Sequence, residues 1–147
     1  MTNGHSDTAR LRIVLIEDSL ADVGLIKEAL REHDVLADLE VLTDGETAFA
    51  YWDQFFAAAK PICPDLVLLD LNLPKRSGFE ILRRIREVPH CSQVGVVMMS
   101  SSTSARDMQQ AAALGILHYF RKPTHFDEFL ELGRLIKNFN GIKNGDC

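Results

Sequence analysis

Apolar residues in this chain fall into short unbroken runs separated by stretches of helical spacing. Ile13-Val14-Leu15-Ile16, Leu66-Val67-Leu68-Leu69 and Val96-Val97-Met98-Met99 are continuous runs, and a fourth lies around Tyr119-Phe120. Runs of this length, rich in Val, Ile and Leu, predict strands buried on both faces of a parallel sheet. Leu39 and Val41 instead alternate with polar neighbours, which predicts an edge strand with one open face. Val23, Ile26 and Leu30 recur at helical intervals and predict an amphipathic helix over 21–33.

The remaining elements follow from punctuation. Asp44-Gly45 turns the chain into a second helix through Phe49 and Trp52, and a long connection containing Pro61 and Pro64 leads to the strand that ends at Asp70. Pro74 breaks the chain. Ser77-Gly78-Phe79-Glu80 then has capping-box spacing for a third helix, with Phe79, Leu82 and Ile85 as its buried stripe and Pro89 as its stop. After a strand over 94–100, Ser104 is placed to cap an Ala-rich fourth helix that Gly115 ends at C′. A short strand reaches Arg121, and Thr124 is placed to cap a fifth helix carrying Phe129, Leu132 and Ile136. Strands and helices alternate five times, the pattern of a parallel sheet covered by helices. One domain over 11–139 is expected, flanked by flexible segments at 1–10 and 140–147, with no second folded unit.

Composition narrows the function. The chain has 147 residues, 46% apolar and 25% charged, with a formal net charge of −5, and no basic stripe offsets that charge. A general nucleic-acid binder is therefore disfavoured. Arg83, Arg84 and Arg86 read as a solvated helix face. Cys63, Cys91 and Cys147 are odd in number and lack CxxC spacing, which predicts free thiols in a reducing compartment. No apolar stretch approaches the roughly 20 residues that span a bilayer. The N-terminus lacks the apolar core of a signal peptide, so a cytoplasmic protein without membrane contact is expected.

The chemistry lies where the apolar runs stop. The first runs into Glu17-Asp18, the second into Asp70, the third into Ser100 and the last into Lys122-Pro123. In open α/β sheets the ligand crevice lies outside the carboxyl ends of the strands, so neighbouring strands would bring these groups to one rim. A carboxylate such as Asp70 can act as a nucleophile toward phosphorus. Glu17 and Asp18 suit a magnesium ion, which is typically held by one or two carboxylates plus waters. Lys122 offers a compact cation for phosphoryl oxygens and Ser100 a hydroxyl. Each element alone has an ordinary explanation, as cap, turn or loop; their joint occurrence at successive strand ends does not.

Over about residues 11–139 the chain resembles the receiver domain of two-component response regulators. Glu17-Asp18, Asp70 within LLDLNLP, Ser100 after an apolar strand, and Lys122-Pro123 carry the likeness. It implies a flavodoxin-like sheet in the order 2-1-3-4-5 and Asp70 as phosphoacceptor, serving a sensor histidine kinase in a phosphorelay. It implies magnesium bound by Asp18, Asp70 and the backbone carbonyl of Asn72, with Glu17 joining directly or through water. It also implies a cis Lys122-Pro123 peptide and a switch in which Ser100 and Tyr119 move together. The readout surface would be helix 4, strand 5 and helix 5, with homodimerisation or partner docking as its role. IEDSLADVGLIKEAL and LLDLNLPKRSGFEIL are further similar to small stand-alone regulators that partner bacterial phytochromes. Three rivals fit less well. A phosphorylation-independent scaffold on the same fold would have lost one of the site residues, and none is lost. A flavin phosphate would be repelled by Glu17-Asp18, and a haloacid-dehalogenase-type phosphatase needs Asp where this chain has Asn72.

Overall fold

A computed structural model describes residues 10–143. Five strands, β1 (Leu11–Ile16), β2 (Ala37–Leu42), β3 (Leu66–Asp70), β4 (Gly95–Ser100) and β5 (His118–Arg121), form one parallel sheet in the order β2-β1-β3-β4-β5. The helices are α1 (Leu20–Glu32), α2 (Gly45–Ala57), α3 (Gly78–Glu87), α4 (Ala105–Ala113), α5 (Phe126–Phe129) and α6 (Glu131–Lys143). This is the parallel sheet expected from the apolar runs, in the flavodoxin-like order that the family resemblance implies.

The unbroken runs are explained by burial on both faces. Ile13, Leu15, Leu66 and Leu68 point to one layer with Ile26 of α1 and Leu132 and Ile136 of α6. Val14, Ile16, Val67 and Leu69 point to the other, against Trp52 of α2, Ile81 and Leu82 of α3 and Ala111 of α4. At the edge, β2 alternates exposed Asp38 and Glu40 with partly buried Leu39 and Val41. Among the described residues no helix is long and apolar enough to cross a membrane.

Ser77 and Ser104 cap their helices as expected, and Ser19 and Asp44 cap α1 and α2, each accepting a backbone N–H from its own first turn. The Ser77–Glu80 capping box is complete. Gly115 has φ +70°, the left-handed conformation that ends α4. The last helix departs from expectation. His125, not Thr124, holds the cap position, with no side-chain cap bond, and the helix breaks at Leu130 into α5 and α6. α6 continues to Lys143, past residue 139, where the sequence placed the end of the fold. Residues 1–9 and 144–147, the bulk of the two segments expected to be flexible, lie outside the described residues.

Two further expectations are corrected. Cys63 and Cys91 are joined by a disulfide, their Cα atoms 5.6 Å apart, rather than being free thiols. The long connection into β3 lays Cys63 beside the turn that follows α3, a juxtaposition between residues 28 apart that spacing rules do not register. Nor is the arginine cluster simply solvated. Arg84 pairs with Asp53 at 2.7 Å and lies over the Phe49 and Phe56 rings. Arg86 donates to the carbonyl oxygens of Ser92, Val94, Leu114 and Gly115, tying α3 to the end of α4 and the approach to β4. Arg83 remains exposed.

The bridge closes a loop that contains β3 and α3, which lowers the entropy of the unfolded chain. Alkylation of denatured, unreduced protein is expected to label one cysteine per chain, and three after reduction. Reduction or Cys63→Ser should lower stability by about 2–4 kcal/mol, read as a shift in urea midpoint. Three reactive thiols before reduction would show that the bridge does not form.

Candidate functional site

Strand register assembles the site. Ile16 pairs with Leu69, Asp70 with Met99, and Ser100 with Arg121. One step beyond the pairs of β1 and β3, Glu17 comes level with Asp70, and Lys122 lies one step beyond the Ser100–Arg121 pair. The ladder continues past the strands, with the Glu17 N–H donating to Leu42 O at 3.0 Å and the Lys122 N–H to Ser100 O at 2.8 Å. Behind Asp70 the first turn of α3 comes so close that a Cβ on Gly78 would lie 2.6 Å from Asp70 O. A larger residue at 78 would push α3 away from the strand end that carries the carboxylate.

Glu17, Asp18 and Asp70 each bring a carboxylate oxygen to within 4.8 Å of the other two. Glu17 is fully buried and Asp70 nearly so, while Asp18 is exposed. Lys122 spans the cluster. Its ammonium lies 2.8 Å from Glu17 Oε1, 2.9 Å from Asp22 Oδ2 and 3.2 Å from Asp70 Oδ2. Desolvation alone would push the ammonium pKa down. Hydrogen bonds to Glu17 and Asp22 and the charge of Asp70 outweigh it and hold the pKa above the ordinary lysine value. For Glu17 burial wins: desolvation, reinforced by the Asp70 charge, raises its pKa from 4.5 to about 7 despite the Lys122 hydrogen bond.

The rest of the rim is a hydrogen-bonded relay. Asp70 Oδ1 accepts the Asn72 N–H at 3.0 Å. Ser100 Oγ, fully buried, accepts from Asn72 Nδ2 at 3.4 Å and from the Ser102 N–H at 3.0 Å. Both are bonds to the hydroxyl oxygen, so its proton remains available to a further acceptor. Half-buried Tyr119 donates its hydroxyl to Ser102 O at 3.3 Å, and Ser102 Oγ donates to Asp107 Oδ2 of α4 at 3.3 Å. Glu17, Asp18, Asp70, Ser100 and Lys122 thus meet at the carboxyl rim, with Asn72 on its lip and Tyr119 one loop away. Asp22 was not anticipated. The signal lay in its place one helical turn after Asp18 in a helix that starts at the rim. The Lys122-Pro123 peptide, expected cis, is trans.

The cluster is short of positive charge. Four carboxylates face one ammonium, and proton uptake by Glu17 relieves part of the mismatch. A divalent cation would relieve more, and three hard oxygen donors in reach of one point are the donor set such an ion takes.

Between pH 4.5 and about 7, folded protein retains a Glu17 proton that the unfolded chain has released. Stability therefore falls as pH rises through this window. In metal-free protein, Glu17→Gln is expected to flatten that fall, so that the variant gains on the parent from about pH 5 to pH 7 in urea melts. A difference between the two that does not change with pH would refute the shift.

The sequence matches the response regulator receiver domain family over residues 13–133. It is 32% identical over 127 residues to the response regulator Rcp1 of Synechocystis sp., covering 86% of each chain. Among solved structures it is similar to the phosphorylated cyanobacterial phytochrome response regulator RcpA, with TM-score 0.77 and 35% identity over 89% of this chain and 94% of that one. It is also similar to the Mn(2+)-bound form of Rcp1, with TM-score 0.76 and 32% identity over 88% and 93%. Sheet order, rim chemistry and these likenesses agree: the chain belongs to the response regulator receiver domain family.

Proposed function

We propose that residues 11–139 form a stand-alone receiver that accepts a phosphoryl group on Asp70 from a phosphohistidine of a sensor histidine kinase. An Asp70 carboxylate oxygen attacks phosphorus. The P–N bond to the donor imidazole breaks, the leaving nitrogen keeps the electron pair, and an acyl phosphate forms on Asp70. Magnesium, when bound, supplies positive charge against the phosphoryl oxygens, where negative charge is spread in the transition state. Asp18, Asp70 and the backbone carbonyl of Asn72 would hold it, with Glu17 joining directly or through water. Lys122, now shared among three carboxylates, turns toward the phosphoryl group, and Ser100 donates its free proton to a phosphoryl oxygen. No separate metabolite is turned over. The observation that carries this reading is the Lys122–Asp70 pair set beside the acidic trio at the ends of neighbouring strands.

The output follows from the bonds around Ser102. Movement of Ser100 toward a phosphoryl group draws on the Ser102 N–H, whose own carbonyl holds Tyr119. Tyr119 is released to turn inward, which reshapes the face made by α4, β5 and α5. Met108, Leu117 and Phe126 on this face are 45%, 49% and 47% exposed, and homodimerisation is their proposed role. The likeness to phytochrome response regulators supports a cytoplasmic partner kinase of the bacteriophytochrome type.

Incubation with acetyl phosphate and magnesium is expected to give a single phosphoryl adduct by intact mass. Asp70→Asn should abolish it, as should chelation of the metal; an adduct retained by the variant would place the phosphoacceptor elsewhere. Sedimentation with and without beryllofluoride tests the output face. A shift toward dimer that Tyr119→Ala or Phe126→Ser weakens is expected, and an unchanged monomer under both conditions would exclude the dimer.

A further inference from the structure

Lys122 has three ammonium protons and three carboxylate partners, and these partners are not equivalent. Glu17 and Asp70 belong to the trio whose oxygens converge within 4.8 Å, so a cation at that point competes with Lys122 for both. Asp22 stands outside the trio, on the first turn of α1, with Oδ2 at 2.9 Å from the ammonium. Its backbone is fixed in turn, because the Asp22 N–H donates to the Ser19 Oγ cap at 3.2 Å. The contact to Asp70, at 3.2 Å, is the longest of the three.

We infer that Asp22 is a positioning residue: it anchors the Lys122 ammonium on the α1 side of the rim and remains its partner when the other two carboxylates are engaged elsewhere. The inference rests on the phosphoryl-transfer reading of the site and adds a residue to it. One ammonium proton stays directed at Asp22, and the remaining two face the position a phosphoryl group on Asp70 occupies. Without the anchor, a flexible four-carbon side chain must find that geometry during each transfer, at an entropic cost. The anchor also keeps the ammonium from settling fully onto Asp70, whose charge is needed for attack. Asp22 touches neither the phosphoryl group nor the metal in this arrangement, so it acts through Lys122 alone.

A double-mutant cycle tests this at saturating magnesium, with acetyl phosphate as donor and intact mass as readout. Asp22→Asn is expected to slow phosphorylation of Asp70 about fivefold, with Asp22→Glu restoring most of the rate. The magnesium midpoint should stay where it is in both variants, since Asp22 is not a ligand. In a Lys122→Ala background, Asp22→Asn should have no further effect. A wild-type rate in Asp22→Asn, or the same fold loss with and without Lys122, would overturn the inference. If Asp22→Asn does not fold, Asp22→Ser carries the same comparison. A second readout does not depend on phosphorylation. In metal-free protein the Lys122 ammonium is expected to give a slowly exchanging nitrogen-15 resonance that Asp22→Asn broadens away. An unchanged resonance refutes the anchor. Lack of any adduct on the parent protein, with the resonance effect intact, would instead refute the phosphoacceptor reading and leave the anchor standing.

Discussion

Carboxylates brought within 4.8 Å of one another, two of them buried, repel strongly, and the rest of the site is arranged around that repulsion. One ammonium answers several negative charges, which is why Lys122 is shared rather than paired, and burial, reinforced by the Asp70 charge, is why Glu17 holds its proton up to about pH 7. A structure serving stability alone would gain from fewer buried charges, since desolvating an ion pair offsets most of its Coulombic benefit. The unmet negative charge makes sense as capacity held for a divalent cation.

Such a cluster persists only on a stiff support. β1 and β3 are buried on both faces and cannot shift without opening the core, so the carboxylates at their ends stay close despite repelling. Gly78 lets α3 sit directly behind Asp70, and Ser19 fixes the first turn of α1 beside Asp18. At the opposite, amino edge of the sheet, the Cys63–Cys91 bridge and the carbonyl bonds of Arg86 tie α3 to its neighbours. Rigidity is thus spread around the Asp70 strand on both sides of the core.

The contacts that lead outward from the rim are weaker links. Ser100, Ser102 and Tyr119 are joined by single hydrogen bonds at 3.0 and 3.3 Å, and Ser102 also reaches Asp107 on α4. Bonds of this strength, each worth about 1 kcal/mol net, can be exchanged for a charge-assisted bond to a phosphoryl oxygen. The site therefore combines buried strands, β1, β3 and β4, with a β4–α4 loop whose links to Ser100, Tyr119 and α4 are single hydrogen bonds.

By itself the sequence determined the strands, the Ser77 and Ser104 helix caps and the location of the chemistry. Those features are local: burial on both faces leaves an unbroken apolar run, a cap leaves Ser or Asp before a helix, and a strand end places Glu17, Asp18, Asp70, Ser100 and Lys122 without reference to distant residues. Family likeness extended this to an expected order of strands and roles for each rim residue. Tertiary structure decided what depends on contacts between remote segments. Cys63 meets Cys91, Arg86 finds carbonyls beyond α4, the last helix breaks at Leu130, and Asp22 joins the Lys122 cluster from α1. None of these leaves a periodic or adjacent trace, because each is set by how the helices pack onto the sheet and not by the residues on either side.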